Sequence, residues 1–494
     1  MRHFLIGVIA GLAFVVVELA GRVFLRIPTL PELIQDRLVL LTPGPVFAFI
    51  LDRLLYLGKP TFFASLLLLQ LVLAGLGGLV LARWSRPLGL AAVLWLVTGL
   101  VVLPLTGQGV FANRADVAVL TLLAFGAYAL AFAVYSGFTG WSWPPLASRL
   151  AAPRERAANR RLLLGGGVTF LASLTLGRWI VGTLPTVPPR AASPGGPALA
   201  PGLPPEVTPN ESFYVVSKNL ADPDVDVNSW RLDVRGLVDH PQKLRYDDVL
   251  ALPAVATDQT LMCISNEVGG DLISNGRWTG VRLADLLQRA GVQSGAQVVR
   301  FTSVDDYTET MPLQQALDPT TLLVYRLNDE PLPAKHGFPL RVLSTNTYGM
   351  KNPKWLTSIE VVASSPPGFW QRQGWNTDAI VQTMSEIRAP ESANTLPVGT
   401  MAVVGVGFAG ARGIRQVDVS ADNGQSWAPA QLFPPIGPLT WVFWQFPWTV
   451  DQPGLYTLVV RATDGTGALQ TNVNTETFPN GATGYHHVTV RVTA

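Results

Sequence analysis

The sequence is poor in charge, cysteine and histidine, and each shortage excludes something. Of 494 residues only 14% are Asp, Glu, Lys or Arg, while 48% are hydrophobic; a soluble domain carries about a quarter charged residues. A wholly soluble enzyme and a disordered chain are both excluded. The formal net charge is +2 with no sustained basic stripe, which sets nucleic acid aside as a partner. A single cysteine, Cys263, permits neither an intrachain disulfide nor a CxxC zinc site. His3, His240, His336, His486 and His487 form no HExxH or paired-ligand spacing, so a bound metal needs donors beyond the protein's own side chains.

What is present is unevenly spread. Five apolar segments near Phe4–Leu25, Phe62–Ala82, Leu88–Thr106, Val117–Phe138 and Leu162–Leu184 approach the roughly 20 residues that cross a bilayer. A sixth, Pro45–Leu57, is interrupted by Asp52 and Arg53 and reads as interfacial or re-entrant, because charge in lipid is costly. Arg83 with Arg86, and Arg149, Arg154, Arg156, Arg160 and Arg161, favour the cytoplasmic side. That gives an inner N-terminus, five crossings and an extracytoplasmic C-terminal part, although Arg22, Arg26, Arg37, Arg53 and Lys59 then fall outside. Arg160-Arg161 before a Gly-rich apolar segment is similar to a twin-arginine export signal; a plain positive-inside anchor is the alternative. With no Met after Met1 and no His after His3, the bundle lacks axial ligands for haem. Glu18, the one acid well inside a crossing, is expected to pair with Arg22 four residues on.

Residues 185–209 are rich in Pro, Ala and Gly and read as a semi-rigid linker. Residues 210–385 mix short strands with short amphipathic helices, such as Leu283–Ala290 stopped by Gly291. Residues 386–494 alternate in short runs with turn signals, Asp422-Asn423-Gly424 among them, which suggests a β-sandwich.

The lone cysteine sits in Thr260-Leu261-Met262-Cys263-Ile264-Ser265-Asn266-Glu267-Val268-Gly269-Gly270-Asp271, where an apolar strand delivers a thiol to a Ser/Asn/Gly loop. Loop amides can lower a thiol pKa, and thiolate suits a redox metal. An inert buried cysteine is the plain alternative.

This run and the downstream Trp278-Thr279-Gly280-Val281 resemble the cofactor-binding core of the sulfite oxidase family of molybdenum enzymes, and the resemblance extends from Asn210 to Ala494. It implies three regions: an all-α transmembrane bundle (1–184), an α+β molybdopterin-binding domain (210–385) and an immunoglobulin-like β-sandwich of dimerisation type (386–494). It implies a molybdenum–pyranopterin cofactor with Cys263 as metal ligand and sulfur brought by the cofactor itself. Asn210, Phe213 and Tyr214 match the opening motif that contacts the pterin, and Ser303 matches a hydroxyl position at the cofactor. His336 is expected to donate to the pterin, with Arg341 clamping its phosphate and Lys354 as second cation. Trp441, Trp444 and Trp448 fit the aromatic strand of the C-terminal domain, as core or interface.

Two positions depart from the sulfite-oxidising pattern. Val216 stands where an anion-holding Arg is expected, with Lys218 as the nearby charge, and Trp375 replaces the active-site Tyr. Trp375 and Lys218 are therefore the pocket candidates for catalysis. The implied activity is two-electron oxygen-atom transfer on a small oxyanion or S-oxide, in either direction, with electrons exchanged with a separate cytochrome or quinone-linked carrier. A cofactor-free adhesion or scaffold protein of the same fold is the reading from another class.

Overall fold

The computed structural model describes residues 2–25, 27–84, 87–106, 108–112, 115–138, 200–219 and 222–494. They fall into two compact units, one helical and one β-rich. The expected fifth crossing, the Arg160-Arg161 pair and residues 185–199 of the linker lie outside the described residues.

The helical unit comprises α1 (Arg2–Leu25), α2 (Leu30–Leu41), α3 (Gly44–Trp84), α4 (Pro87–Val97), a π turn (Thr98–Val102) leading into α5 (Leu103–Leu105), and α6 (Ala115–Phe138). Among the described residues four stretches are long and apolar enough to cross a membrane: His3–Leu25, Thr61–Leu81, Pro87–Leu105 and Asp116–Ser136. The segment Pro45–Leu57 is no separate piece; it continues into the next crossing within one 41-residue helix. Ile6, Ala10 and Phe14 of α1 share a core with Leu120, Ala124 and Phe132 of α6.

The expected Glu18–Arg22 pair does not form. Arg22 Nε lies 2.8 Å from Glu32 Oε1. Glu18 instead accepts from Leu30 N–H at 3.0 Å and from Gln70 Nε2 at 2.7 Å. The cause is α2: its first N–H groups have no helical acceptor. Thr29 and Glu32 satisfy some of them in a capping box, and Glu18 takes the N–H of Leu30.

In the β-rich unit one sheet runs β2 (Gln242–Leu244), β1 (Leu232–Gly236), β10 (Leu356–Val362), β5 (Val298–Ser303), β6 (Thr308–Pro312). A second runs β3 (Val255–Met262), β4 (Ile273–Arg282), β7 (Leu322–Leu327), β8 (Glu330–Pro331), with β9 (Arg341–Leu343) also on β7. Trp230, Leu232, Val299, Phe301, Leu323 and Ile359 fill one core, together with helix α7 (Leu283–Ala290), which Gly291 ends at φ 69°.

The C-terminal part packs β11 (Met384–Ala389), β13 (Gly399–Phe408), β17 (Val442–Val450) and β16 (Gln431–Leu432) in one sheet. The other holds β12 (Thr395–Pro397), β19 (His486–Thr493), β18 (Gly454–Asp464), β14 (Ile414–Ser420) and β15 (Ala428–Pro429). Val403, Val417, Trp444, Leu458 and Val490 lie in their common core, so the alternating pattern does build a two-sheet sandwich. Trp441, Trp444 and Trp448 are all buried. The last ten residues of the expected linker are docked rather than free. Ala200 and Leu203 are buried, and Glu206 O accepts from Asn275 Nδ2 and Trp441 Nε1.

Candidate cofactor site

β3 and β4 pair antiparallel down to Met262 opposite Ile273, and Cys263 is the first residue beyond the ladder. The intervening loop is closed by its own sequence. Cys263 N–H donates to Leu272 O at 2.9 Å, and Asn266 Oδ1 accepts from Leu272 N–H at 2.8 Å. Gly269 sits at φ 78° with the His486 ring against it, and a Cβ there would lie 2.3 Å from Nε2; both the backbone and the space demand glycine. Asn266, Gly269 and the strand before them thus hold the thiol in a fixed, buried place.

That thiol is not made acidic by its loop. Burial pushes it above its ordinary value, while hydrogen bonds from Ser265 and from the Ile264 amide pull only part of the way back. The expected lowering by loop amides is thus present but outweighed by burial, and a free thiol here is protonated.

Around it stand phenols. Tyr214 and Tyr307 are held well above the usual tyrosine range and Tyr348 is pushed up to about 12, in each case chiefly by burial; Cys263 adds to the shift at Tyr214 and Tyr348, and Glu309 and Asp305 add more than it does at Tyr307. Phe213 is buried, stacked on Tyr214 and edge-on to Trp278 and His336, with ring centroids 5.3–5.9 Å apart. Asn210 Nδ2 donates to Leu327 O and Glu330 Oε2, and its Oδ1 accepts from Asn328 Nδ2, which ties the segment before Phe213 to the turn after β7.

His336 Nε2 lies 3.2 Å from Asn210 O. A carbonyl only accepts, so Nε2 carries the proton. Burial, with Arg341 beside it, lowers the imidazole pKa to about 3, so the ring is neutral and Nδ1 is an acceptor. In this geometry the one N–H of His336 faces Asn210 O.

Arg341, 4% exposed, donates from Nη1 to His336 O at 3.0 Å and from Nη2 to Asn352 O at 3.2 Å, over the face of Trp278. Lys354 Nζ donates to Lys335 O at 3.0 Å and lies over Trp355. Gly337, at φ 114°, lets these two approach, for a Cβ there would stand 2.9 Å from Lys354 Cβ. Burial lowers the pKa of Arg341 to about 10 and lowers that of Lys354 and Lys335 too; Asp222 opposes the shift at both lysines. Among the described residues none of these three cations makes an ion pair. Ser303 Oγ, buried at the end of β5, also has no hydrogen-bond partner there. A buried guanidinium answered only by carbonyls, two half-buried lysines with no carboxylate in ion-pair contact and a buried hydroxyl without a partner are what an anionic, hydrogen-bonding ligand would satisfy. The residues present fit a phosphate-bearing pterin whose metal takes the thiol.

Trp375 is buried in a cluster with Met262 and Ile264, the neighbours of Cys263, and with Tyr348 and Met350; its Nε1–H has no partner among the described residues. Lys218 Nζ donates to the buried Asn219 Oδ1 at 2.7 Å. Sequence reading missed Lys335, although it directly precedes His336, and missed the buried Glu309–Lys351 pair at 2.8 Å. The latter had one local sign, an acid at an inward position of β6 beside Met311.

Comparison with known proteins accords with this geometry. Residues 219–370 match the oxidoreductase molybdopterin binding domain, and residues 376–493 match the Mo-co oxidoreductase dimerisation domain. The chain is 36% identical over 174 residues to the uncharacterized oxidoreductase YuiH of Bacillus subtilis, covering 35% of this chain and 86% of that protein. It is 30% identical over 350 residues to sulfite oxidase of Arabidopsis thaliana, covering 58% and 88% respectively. It is also 35% identical over 153 residues to the putative protein-methionine-sulfoxide reductase subunit YedZ1 of Azospira oryzae, covering 31% and 56%. The sulfane dehydrogenase SoxCD of Paracoccus pantotrophus superposes with a TM-score of 0.52 over 58% of this chain and 81% of that one; at 21% identity this speaks to fold alone. A lone strand-end thiol and two consecutive domain matches, with a relative 30% identical over 88% of its length, make the chain a member of the sulfite oxidase family of molybdopterin-dependent oxidoreductases.

Proposed function

We propose that this protein is a membrane-anchored molybdenum oxidoreductase, with its catalytic part outside the cytoplasmic membrane, that transfers an oxygen atom to or from a small oxyanion or S-oxide. Electrons are exchanged with a separate carrier, a cytochrome or a quinone-linked protein. The observation that carries the reading is the lone buried thiol at a strand end, joined through Tyr214, which feels both groups, to a buried Arg341 that meets only carbonyl oxygens.

In this reading Cys263 is the metal ligand. Arg341, Lys354 and Lys335 hold the terminal phosphate, Ser303 Oγ hydrogen-bonds the ligand, and Phe213 and Tyr214 line it. Asn210 and the neutral His336 keep that lining in place. When bound, the molybdenum–pyranopterin supplies the two-electron oxygen-atom chemistry. The protein excludes water around the thiol, fixes it at the strand end, and offers Trp375 Nε1–H as a donor to a substrate oxygen. Residues 210–385 form the catalytic domain, and 386–494 an immunoglobulin-like sandwich that joins two copies, which the match to a dimerisation domain supports.

A second reading runs the chemistry as an S-oxide reductase. Val216 and Trp375 favour it: an apolar residue and a neutral donor suit an uncharged S=O better than an anion. The relative named as a putative protein-methionine-sulfoxide reductase subunit points the same way. Elemental analysis of the purified protein tests the common ground, with molybdenum near one per chain expected and its absence supporting the cofactor-free scaffold. Turnover of sulfite against sulfoxides, with artificial electron carriers, then separates the two directions.

A further inference from the structure

We infer that the buried Glu309–Lys351 pair is a positioning unit that pins the Trp375 loop at two points and thereby sets which substrates fit beside Cys263. This rests on the reading of the site just given and deepens it to substrate selection.

Glu309 on β6 is 0% exposed and Lys351, at the end of the Gly349–Lys351 turn, 2%. The ammonium donates to Glu309 Oε1 at 2.8 Å, to Thr310 O at 2.7 Å and to Thr377 O at 3.1 Å, which uses all three of its hydrogens. The carboxylate accepts Gln371 Nε2 at 3.0 and 3.1 Å, one distance to each oxygen. Gln371 and Thr377 lie on either side of Trp375, so one ion pair grips the loop before and after it. Further grips come from Phe369 N–H, which donates to Thr308 O at 2.8 Å, and from the Tyr307–Phe369 ring contact. The neighbouring chain has made room for this, since a Cβ on Gly368 would stand 2.4 Å from Gln371 Oε1 and 2.8 Å from Glu309 Oε1.

The same pair sits on two further segments that carry site residues. β6 forms a hairpin with β5, which ends at Ser303, and the Gly349–Lys351 turn lies between Tyr348 and Lys354. Three stretches of the site therefore meet on one ion pair. A solvent-exposed pair would hold them weakly; this one is desolvated and its hydrogen bonds are charge-assisted. The pair reaches the site through the Trp375 loop, and Tyr307 Oη, 3.4 Å from Glu309 Oε2, is a second point of contact.

The test uses the full chain in detergent with its cofactor. Glu309→Leu combined with Lys351→Met removes both charges together, which buried pairs tolerate better than loss of one partner. The expected result is a normal molybdenum content and hydrogen exchange accelerated roughly tenfold in residues 368–378, with the sandwich unchanged. KM for dimethyl sulfoxide should rise about tenfold with kcat within about twofold, and discrimination against a bulky aryl sulfoxide should narrow. A double variant whose 368–378 amides stay as protected as the wild type overturns the inference, as does one with unaltered size discrimination. Should the double variant fail to accumulate, Glu309→Gln, which keeps an acceptor but lacks the charge, is judged by the same two criteria. If the wild type itself turns over no S-oxide, the substrate reading falls while the exchange comparison still decides the latch.

Discussion

The helical unit and the β-rich unit both bury charge, and they do it in opposite ways. In the helices Glu32 faces Arg22, and Glu18 is satisfied by a backbone N–H and a glutamine amide. At the candidate cofactor site Arg341 and Lys354 are bonded only to carbonyl oxygens, and Ser303 Oγ is bonded to nothing among the described residues. A buried charge that is fully answered belongs to the architecture. One left with excess positive potential costs folding free energy, which only a bound anion returns. The Glu309–Lys351 pair shows that both styles coexist within the β-rich unit itself, matched where a loop must be held and unmatched where a ligand is to come.

The sharpest break of this contrast is at the metal. Cys263→Ser should abolish dye-linked turnover while melting within a few degrees of the wild type, because the loop closes through Asn266 and not through the thiol; persisting activity would mean that the ligand is elsewhere. Next is Lys354→Met. Cofactor retention should fall about 10–100-fold. The cofactor-free protein should be as stable as before or more stable, by about 1 kcal/mol, since a half-buried cation with no carboxylate in ion-pair contact has been removed. A clear loss of apo stability in chemical denaturation would place Lys354 among the architectural charges instead. His336 gives a smaller, pH-dependent effect. Its folded pKa, about 3, lies below the unfolded value of about 6.5, so the unfolded chain binds a proton first as pH falls. Stability should thus decline from pH ~6.5 down to pH ~3, by at most about 1.4 kcal/mol per pH unit from this residue. His336→Gln should flatten that slope in denaturation curves taken across the window. The smallest effect is expected at Glu18→Gln: a loss of about 1 kcal/mol from the weakened cap of α2, seen as earlier thermal unfolding in detergent, with dye-linked turnover untouched. A collapse of turnover there would give the helices a share in the chemistry.

How much of this was legible in the sequence follows from how local each cause is. The cysteine loop was readable because Asn266, Gly269 and Gly270 close it within ten residues. The capping box Thr29…Glu32 announces α2, yet the short amphipathic run after it was passed over in favour of longer apolar ones. Pairing Glu18 with Arg22 applied the rule for one isolated helix; the chain reversal after α1 brings Glu32 back to the arginine instead. Composition marked residues 185–209 as linker and said nothing about Leu203, whose burial depends on partners far along the chain. The Glu309 cluster was least accessible, since its members are 42 and 62 residues apart and no periodicity connects them. Asn210 and His336 were picked out by resemblance, but their hydrogen-bond roles required the neighbours to be in place.

The buried Trp441 has a further bond that bears on how the enzyme is made. The strand that ends in the thiol is braced from the far sandwich: Thr260 N–H donates to Leu439 O, and Trp441 N–H, 181 residues downstream, donates to Thr260 Oγ1. The ribosome therefore releases the cysteine long before it releases the brace, and the thiol's seat is finished only once Trp441 has been made. Loading of the metal group must then follow translation rather than accompany it, and nascent chains stalled before Leu439 should capture none.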